Sequence, residues 1–154
     1  TTAKGLANSL GVPLAGVSTL EAWAYRYAGA GLPVCAVQEA GRGEVAAALY
    51  RWRDGRSERV IAEQITTVGK LCQQIQEPTI FSGDMSDATR AALRERLGKK
   101  ARLMDSPGSA HCARYLGELG RLRIEAGDVD DPSTLQPLYL HKPSITRPAR
   151  AKKS

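Results

Sequence analysis

An α/β fold is what this 154-residue chain predicts, and two features of its pattern lead there. Residues Pro33 to Arg53 read PVCAVQEAGRGEVAAALYRWR, two runs of strand-forming residues on either side of Glu39-Ala40-Gly41-Arg42-Gly43. Glycines that close together supply the positive φ a tight reversal needs, so this stretch is a β-hairpin. Beyond it, a third alternating run is followed by segments that switch between helical spacing and short apolar runs, the mark of alternating helices and strands.

The elements follow in order. Residues 1–10, TTAKGLANSL, place apolar residues at 3, 6, 7 and 10, which is helical spacing. Gly11 is a suitable stop with Pro13 close behind. Pro13 to Val17 reads as a short apolar strand. Ser18 then caps a helix, with Glu21 three residues on completing a capping box, and Leu20, Trp23, Ala24, Tyr27 and Ala28 form its buried stripe. After the hairpin, Asp54-Gly55-Arg56-Ser57 turns the chain into a third strand, Arg59 to Thr66. A short helix covers 67–76, with Val68, Leu71, Cys72 and Ile75 on one face. Pro78 to Ser82 is a buried strand. Ser86 or Asp87 caps a helix that runs to Leu97 and buries Ala88, Ala91, Ala92 and Leu97. A brief strand, 101–104, precedes the longest helix, 109–126, along which Cys112, Tyr115, Leu116, Leu119, Leu122 and Arg123 align. Residues 131–139 read as an extended finishing segment.

Composition bounds the function. The chain is 42% apolar and 25% charged, as ordinary globular proteins are. The formal net charge is +6, and much of it sits from His141 onward, where Lys142, Arg147, Arg150, Lys152 and Lys153 meet no acidic residue. Residues 141–154 are therefore expected to be a flexible basic tail. Cys35, Cys72 and Cys112 are odd in number, widely spaced and without a CxxC, which argues against a disulfide framework or a metal site and suits a reducing, cytoplasmic setting. No run approaches the roughly 18 apolar residues of a membrane span, so no membrane partner is expected.

Three antiparallel strands followed by helix, strand, helix, strand, helix (β-β-β-α-β-α-β-α) is the order of the ribonuclease H-like fold. Residues 33–140 form one such lobe, and residues 1–32 read as the helix-strand-helix end of a preceding lobe that is cut short. Tandem lobes of this kind are the architecture of the actin, sugar kinase and Hsp70 superfamily. Local sequence narrows the likeness. Residues 2–22, TAKGLANSLGVPLAGVSTLEA, strongly resemble the region of the bacterial TsaB (YeaZ) family where a first-lobe helix runs into a short strand and a Ser-capped helix. At the hairpin, Gly43, Glu44 and Val45 match that family's Asp-Ala-Arg-x-Gly-Glu-Val-Tyr. Glu39 stands for its Asp, Gly41 for its Arg and Ala46 for its Tyr. Residues 135–140, LQPLYL, resemble its closing Pro-x-Tyr-Leu. The family's Gly-rich stretch ahead of the first helix does not occur here, in keeping with a shortened first lobe.

The resemblance implies a non-catalytic subunit. It would pair with a TsaD-like paralogue and a TsaE-like ATPase, or with a second copy, in transferring a threonylcarbamoyl group to the adenosine beside the tRNA anticodon. ATP or ADP and a metal would reside in the partner subunits, and tRNA would be met through the complex. The first helix would contribute to the partner interface through Thr1, Thr2, Lys4, Gly5 and Asn8, unless it is simply an amphipathic helix lying on its own sheet.

The residue chemistry supports no catalytic site. His111 and His141 fall in no HExxH pattern, and no GxSxG elbow is present. The turn residues Glu39, Gly41, Arg42, Gly43 and Glu44 form either a structural hairpin or an anion nest, the latter opposed by two carboxylates. Ser82, Gly83 and Asp84 either border a nucleotide cleft at the carboxyl end of a strand or serve as a turn and a helix cap. Arg51, Arg53 and Arg56 crowd one hairpin end, and Arg90, Arg94, Lys99 and Lys100 lie along or just after a helix. The second group has no aromatic residues interleaved to stack bases, and both groups read as solvated basic faces. The alternative to a scaffold is a nucleotide-using enzyme of the same superfamily, a small kinase or ATPase.

Overall fold

The computed structural model describes residues 2–106 and 108–136, the side chains of 109–111 excepted. Helix α1 (Thr2–Leu10) and helix α2 (Thr19–Tyr25) precede strands β1 (Val34–Gly41), β2 (Glu44–Arg53) and β3 (Arg56–Thr67). Helix α3 (Val68–Gln74), strand β4 (Thr79–Asp84), helix α4 (Asp87–Leu97), strand β5 (Ala101–Leu103) and helix α5 (Gly108–Glu125) complete the order. The strands form one sheet in the order β3-β2-β1-β4-β5. The first three are antiparallel, and β4 and β5 run parallel to β1 and β4 respectively. This is the β-β-β-α-β-α-β-α lobe read from the sequence.

Both hairpins close through two residues of positive φ. Arg42 and Gly43 have φ of 56° and 77°, and Asp54 and Gly55 have 51° and 75°. That pair of signs marks type I′ turns, whose twist matches the strands they join. Alternation along β1, β2 and β4 then deals side chains to two cores. Val34, Ala36, Ala48, Tyr50 and Ile80 face α2 and α5, where Leu20, Trp23, Cys112 and Leu119 meet them. Cys35, Val37, Leu49 and Phe81 face α3 and α4, where Leu71, Ile75 and Leu93 meet them. So α2, read with the first 32 residues, packs on this sheet. In β3 the register shift opposite Ala47–Leu49 lets Ile65 and Ile61 face opposite sides although their numbers have the same parity, and a second shift follows between Ile61 and Arg59.

Four local expectations are corrected. Residues 13–17 form no strand; only Leu14 bridges, to Asp130. The Gly16 N–H donates to the Asp130 carboxylate and the Gly16 carbonyl accepts from Arg123, so side chains occupy the groups a ladder would use. Residues 131–135 turn rather than extend, with Thr134 and Leu135 N–H groups donating to the Asp131 carbonyl; residues 137–139 lie outside the described residues. On α4 the buried side chains are Thr89 and Leu93, while Ala88 and Ala91 are exposed. One leucine outweighs several alanines in choosing the inward face, because burial scales with apolar area. On α1, Ala7 is buried but Ala3, Leu6 and Leu10 face outward, Leu6 and Leu10 at 56% and 68% exposure.

Candidate functional site

Helix α1 ends in a Schellman motif, the Val12 N–H donating to the Ala7 carbonyl at 3.2 Å across Gly11. Thr2, Gly5 and Asn8 are exposed, Lys4 is half-buried, and Thr1 lies outside the described residues. The predicted interface residues thus share the helix surface with exposed Leu6 and Leu10. No other described element packs broadly against α1.

The β1–β2 turn is tied down through Glu39. Its Oε1 accepts from the Ser86 N–H at 2.9 Å. Ser86 is the N-cap of α4, and its Oγ accepts from the Thr89 N–H at 3.1 Å. Burial raises the Glu39 pKa, but hydrogen bonds from Thr89 and Ser86 more than offset it, and the carboxyl lies below the usual range. The Glu39 carboxylate therefore sits at a helix N-terminus, where the dipole favours negative charge. Gly41, Arg42 and Gly43 are exposed and Glu44 half-buried.

Ser82 and Gly83 are sealed inside the sheet. The Ser82 Oγ, fully buried, donates to the Trp23 carbonyl at 3.2 Å. Gly83 has φ of +130°, and a Cβ there would stand 2.1 Å from the Val37 carbonyl oxygen and 3.0 Å from Trp23 Cε3. These two residues seat α2 on β4, leaving Asp84 as the exposed member of the trio.

A concavity of about 710 Å³ lies elsewhere. Lys4 of α1, the 14–20 segment, Gln38, Ala46, Arg59, Glu63, Arg123, Asp130 and Leu135 line it. One wall is a clamp. Arg123 grips Asp128 through Nε and Nη2 at 2.8 and 3.1 Å, and its Nη1 reaches Asp130 Oδ2 at 3.2 Å and the Gly16 carbonyl. Asp130 Oδ2 in turn accepts from the Gly16 N–H at 2.6 Å. The Asp128 carboxyl is lowered by its hydrogen bond from Arg123, and the Asp130 carboxyl first by the Gly16 N–H. Of the lining residues Arg59 and Glu63, Glu63 Oε1 accepts from the Tyr50 hydroxyl at 3.0 Å and Arg59 lies over the Tyr50 ring. Burial, then the Glu63 charge, raises the Tyr50 pKa. Sequence reading missed Arg59 and Glu63, because their facing depends on the bulges in β3. Arg123 was visible as a cation on an apolar stripe, and Asp128 and Asp130 just after the helix were its signal.

Burial pushes all three thiols up, Cys35 most, so none is a thiolate at neutral pH. Among the described residues no group of three or more His, Cys, Asp or Glu is placed to hold a metal ion, and no helix is long and apolar enough to cross a membrane. The side chain of His111 and all of His141 lie outside the described residues.

A family model described as "TsaD: tRNA N6-adenosine threonylcarbamoyltransferase" matches residues 1–145. No curated protein matches the chain. Two solved structures share its fold. One is described as the crystal structure of an uncharacterized protein with similarity to peptidase YEAZ from Pseudomonas aeruginosa. Its TM-score is 0.60 at 20% identity, over 90% of this chain and 63% of that one. The other is YeaZ from Pseudomonas aeruginosa, with a TM-score of 0.64 at 22% identity, over 88% of this chain and 64% of that one. The chain spans less than two thirds of the length of either.

Proposed function

Since the chain belongs to the tRNA N6-adenosine threonylcarbamoyltransferase (TsaD) family, we propose that it is a TsaB (YeaZ)-type subunit of a tRNA threonylcarbamoylation assembly. It acts as a scaffold, pairing with a TsaD-like paralogue that carries out the transfer and with a TsaE-like ATPase. The observation that carries this reading is the family match over residues 1–145, joined to a fold shared with YeaZ. Two features support the non-catalytic part. The thiols are buried and protonated, and the superfamily's candidate cleft residues Ser82 and Gly83 are consumed in packing. Helix α1 supports the pairing part, since Leu6 and Leu10 stand exposed on a helix whose other exposed residues are small or polar.

Reconstitution tests it. The chain in its complete form is mixed with TsaD-like and TsaE-like subunits, tRNA, ATP and threonylcarbamoyl-adenylate, and the modified nucleoside is read by mass spectrometry. Modification that requires this chain, with no product from the chain alone, is the expected result. One observation favours a second reading, a nucleotide-using enzyme: the 710 Å³ cavity with Lys4 and Arg59 on its walls. ATP turnover by the isolated chain, without effect on the tRNA reaction, would establish that reading instead.

A further inference from the structure

We propose that the surface formed by Arg94, Arg96, Lys99, Lys100 and Arg102 is a docking site for the phosphate backbone of folded RNA. The inference rests on the tRNA-modifying reading above and names where this chain itself would touch the substrate.

Charge distribution is the first observation. Residues 1–136 hold seventeen Lys and Arg against sixteen Asp and Glu, so this part of the chain is nearly neutral. Residues 94–102 alone hold five of the cations against the single carboxylate of Glu95. Positive charge is therefore concentrated in this stretch, while the rest of residues 1–136 holds twelve cations against fifteen carboxylates. Geometry gathers it. Helix α4 ends at Leu97, Gly98 reverses the chain at φ of +53°, a single 3₁₀ turn spans Gly98–Lys100, and β5 begins at once on the sheet edge. All five cationic side chains are exposed. Arg96 reaches toward α3, its guanidinium carbon 3.6 Å from where a Cβ on Gly69 would lie, which extends the patch toward exposed Lys70.

Pairing is the second observation. Four other arginines find carboxylates: Arg51 with Glu77, Arg90 with Asp105, Arg121 with Glu125, and Arg123 with Asp128 and Asp130. Arg26, Arg42, Arg53, Arg56, Arg59 and Arg114 show no ion pair among the described residues and are spread over the fold rather than set within nine residues. Among the described residues none of the five has such a partner. The C-terminal dipole of α4 accounts for a cation in its last turn. It does not account for Lys99, Lys100 and Arg102, which lie past the helix.

The surroundings choose the ligand. Among the described residues the exposed large apolar ones are Leu6, Leu10, Val12, Val60, Leu122, Ile124 and Val129, and none belongs to α4 or β5. A protein interface is built on an apolar centre, which this patch lacks. No aromatic side chain lies in 87–106 to stack a base. Bare, unpaired cations without apolar or aromatic neighbours suit phosphates and carry no sequence readout.

The test measures binding of a pool of unmodified tRNA transcripts to the full chain by fluorescence anisotropy from 50 to 200 mM salt, on the order of the range in which such contacts respond. The patch variant carries R94Q, R96Q, K99Q, K100Q and R102Q. A tail variant carries K142Q, R147Q, R150Q, K152Q and K153Q. Each phosphate contact contributes about 0.7 to 0.9 to the slope of log affinity against log salt. The patch variant is expected to lose about tenfold or more in affinity and to flatten that slope by about two to four, while the tail variant keeps its dependence on the patch. Unchanged affinity and slope in the patch variant overturn the proposal. So does tRNA binding that follows the tail alone, or a polyglutamate peptide bound through the five residues by a chain that does not bind tRNA. If the fivefold variant unfolds at lower temperature, K99Q/K100Q on the 3₁₀ turn is measured in its place. No partner subunit enters this assay. A chain that binds tRNA through the patch yet is dispensable for modification refutes the scaffold reading alone, and a chain required for modification without patch-dependent binding refutes this one alone.

Discussion

Replacing Gly83 by alanine should destabilise the protein more than any other single methyl addition in the sheet. The added Cβ would stand 2.1 Å from the Val37 carbonyl oxygen and 3.0 Å from Trp23 Cε3. The first contact is with backbone, so relief requires β4 to part from β1 at the Val37–Gly83 pair or α2 to lift with Trp23. A side chain at φ of +130° also costs about 1–3 kcal/mol in backbone strain. Forcing an extra carbon into a packed interior costs about 1–3 kcal/mol more. The expected loss is thus about 2–6 kcal/mol. For a chain of this size that lowers the unfolding midpoint by roughly 5–20 °C. Gly117→Ala is the control: this exposed α5 glycine has nothing within 4 Å of a built Cβ, and it should gain roughly 0.5–1 kcal/mol from helix propensity. Urea unfolding of both variants, at matched slope, measures the difference. A Gly83→Ala midpoint equal to that of the unaltered protein would refute the claim that α2 and β1 close over this residue.

Further outcomes follow from the same geometry. Ser82→Ala should cost about 1 kcal/mol in urea unfolding, because the Trp23 carbonyl loses its buried donor; a neutral result would mean the bond is not formed. Cys35, Cys72 and Cys112 should resist a thiol reagent in the native protein and all react in urea, with Cys35 slowest on partial unfolding since it is fully buried. Rapid native labelling of any of them would contradict their burial. The folded-state pKa values of Asp128, Asp130 and Asp131 are depressed, by Arg123, by the Gly16 N–H and by Ser133 respectively. Their contribution is present above the unfolded carboxylate value and disappears as pH falls through the folded one, so stability should drop below about pH 4. Asp130→Asn should shrink that drop and speed exchange of the Gly16 amide, read by hydrogen exchange.

The lobe was legible because its strands alternate cleanly and its turns are spelled in Gly. Val34 to Val37 and Val45 to Tyr50 deal residues to two faces, and both faces are covered. What misled was small residues. Ala88, Ala91 and Ala92 satisfy the helical period, but they carry too little area to compete with Leu93 for the core. The period of α1 is real as well, yet a stripe predicts an apolar face and not what covers it, and Leu6 and Leu10 face outward. The segment 13–17 has strand composition, but strand identity belongs to a partner strand, and at Gly16 the partners are the side chains of Asp130 and Arg123.

The candidate site was less legible, for a reason that separates local from assembled properties. Ser82-Gly83-Asp84 looks like a ligand-binding strand end, and the same three letters serve packing when a helix lies on top. What decides between them is Trp23, far away in sequence, whose carbonyl takes the Ser82 hydroxyl and whose ring excludes a Cβ at Gly83. Glu39 reads as a carboxylate hostile to phosphate in a Gly-rich turn. In the fold its acceptor capacity is directed at Ser86 and the start of α4, so the turn is held by a helix terminus that no window of sequence contains. The basic residues invert the case. Each alone is an ordinary solvated cation, and only the chain reversal at Gly98 and the shortage of nearby carboxylates turn residues 94–102 into a patch. Burial can be judged from a stretch of sequence when one large apolar side chain dominates it. Charge can be judged only after the fold has decided which carboxylates are within reach: here they are within reach of Arg51, Arg90, Arg121 and Arg123, and the cations left without one among the described residues are scattered except at 94–102 and around Arg53 and Arg56.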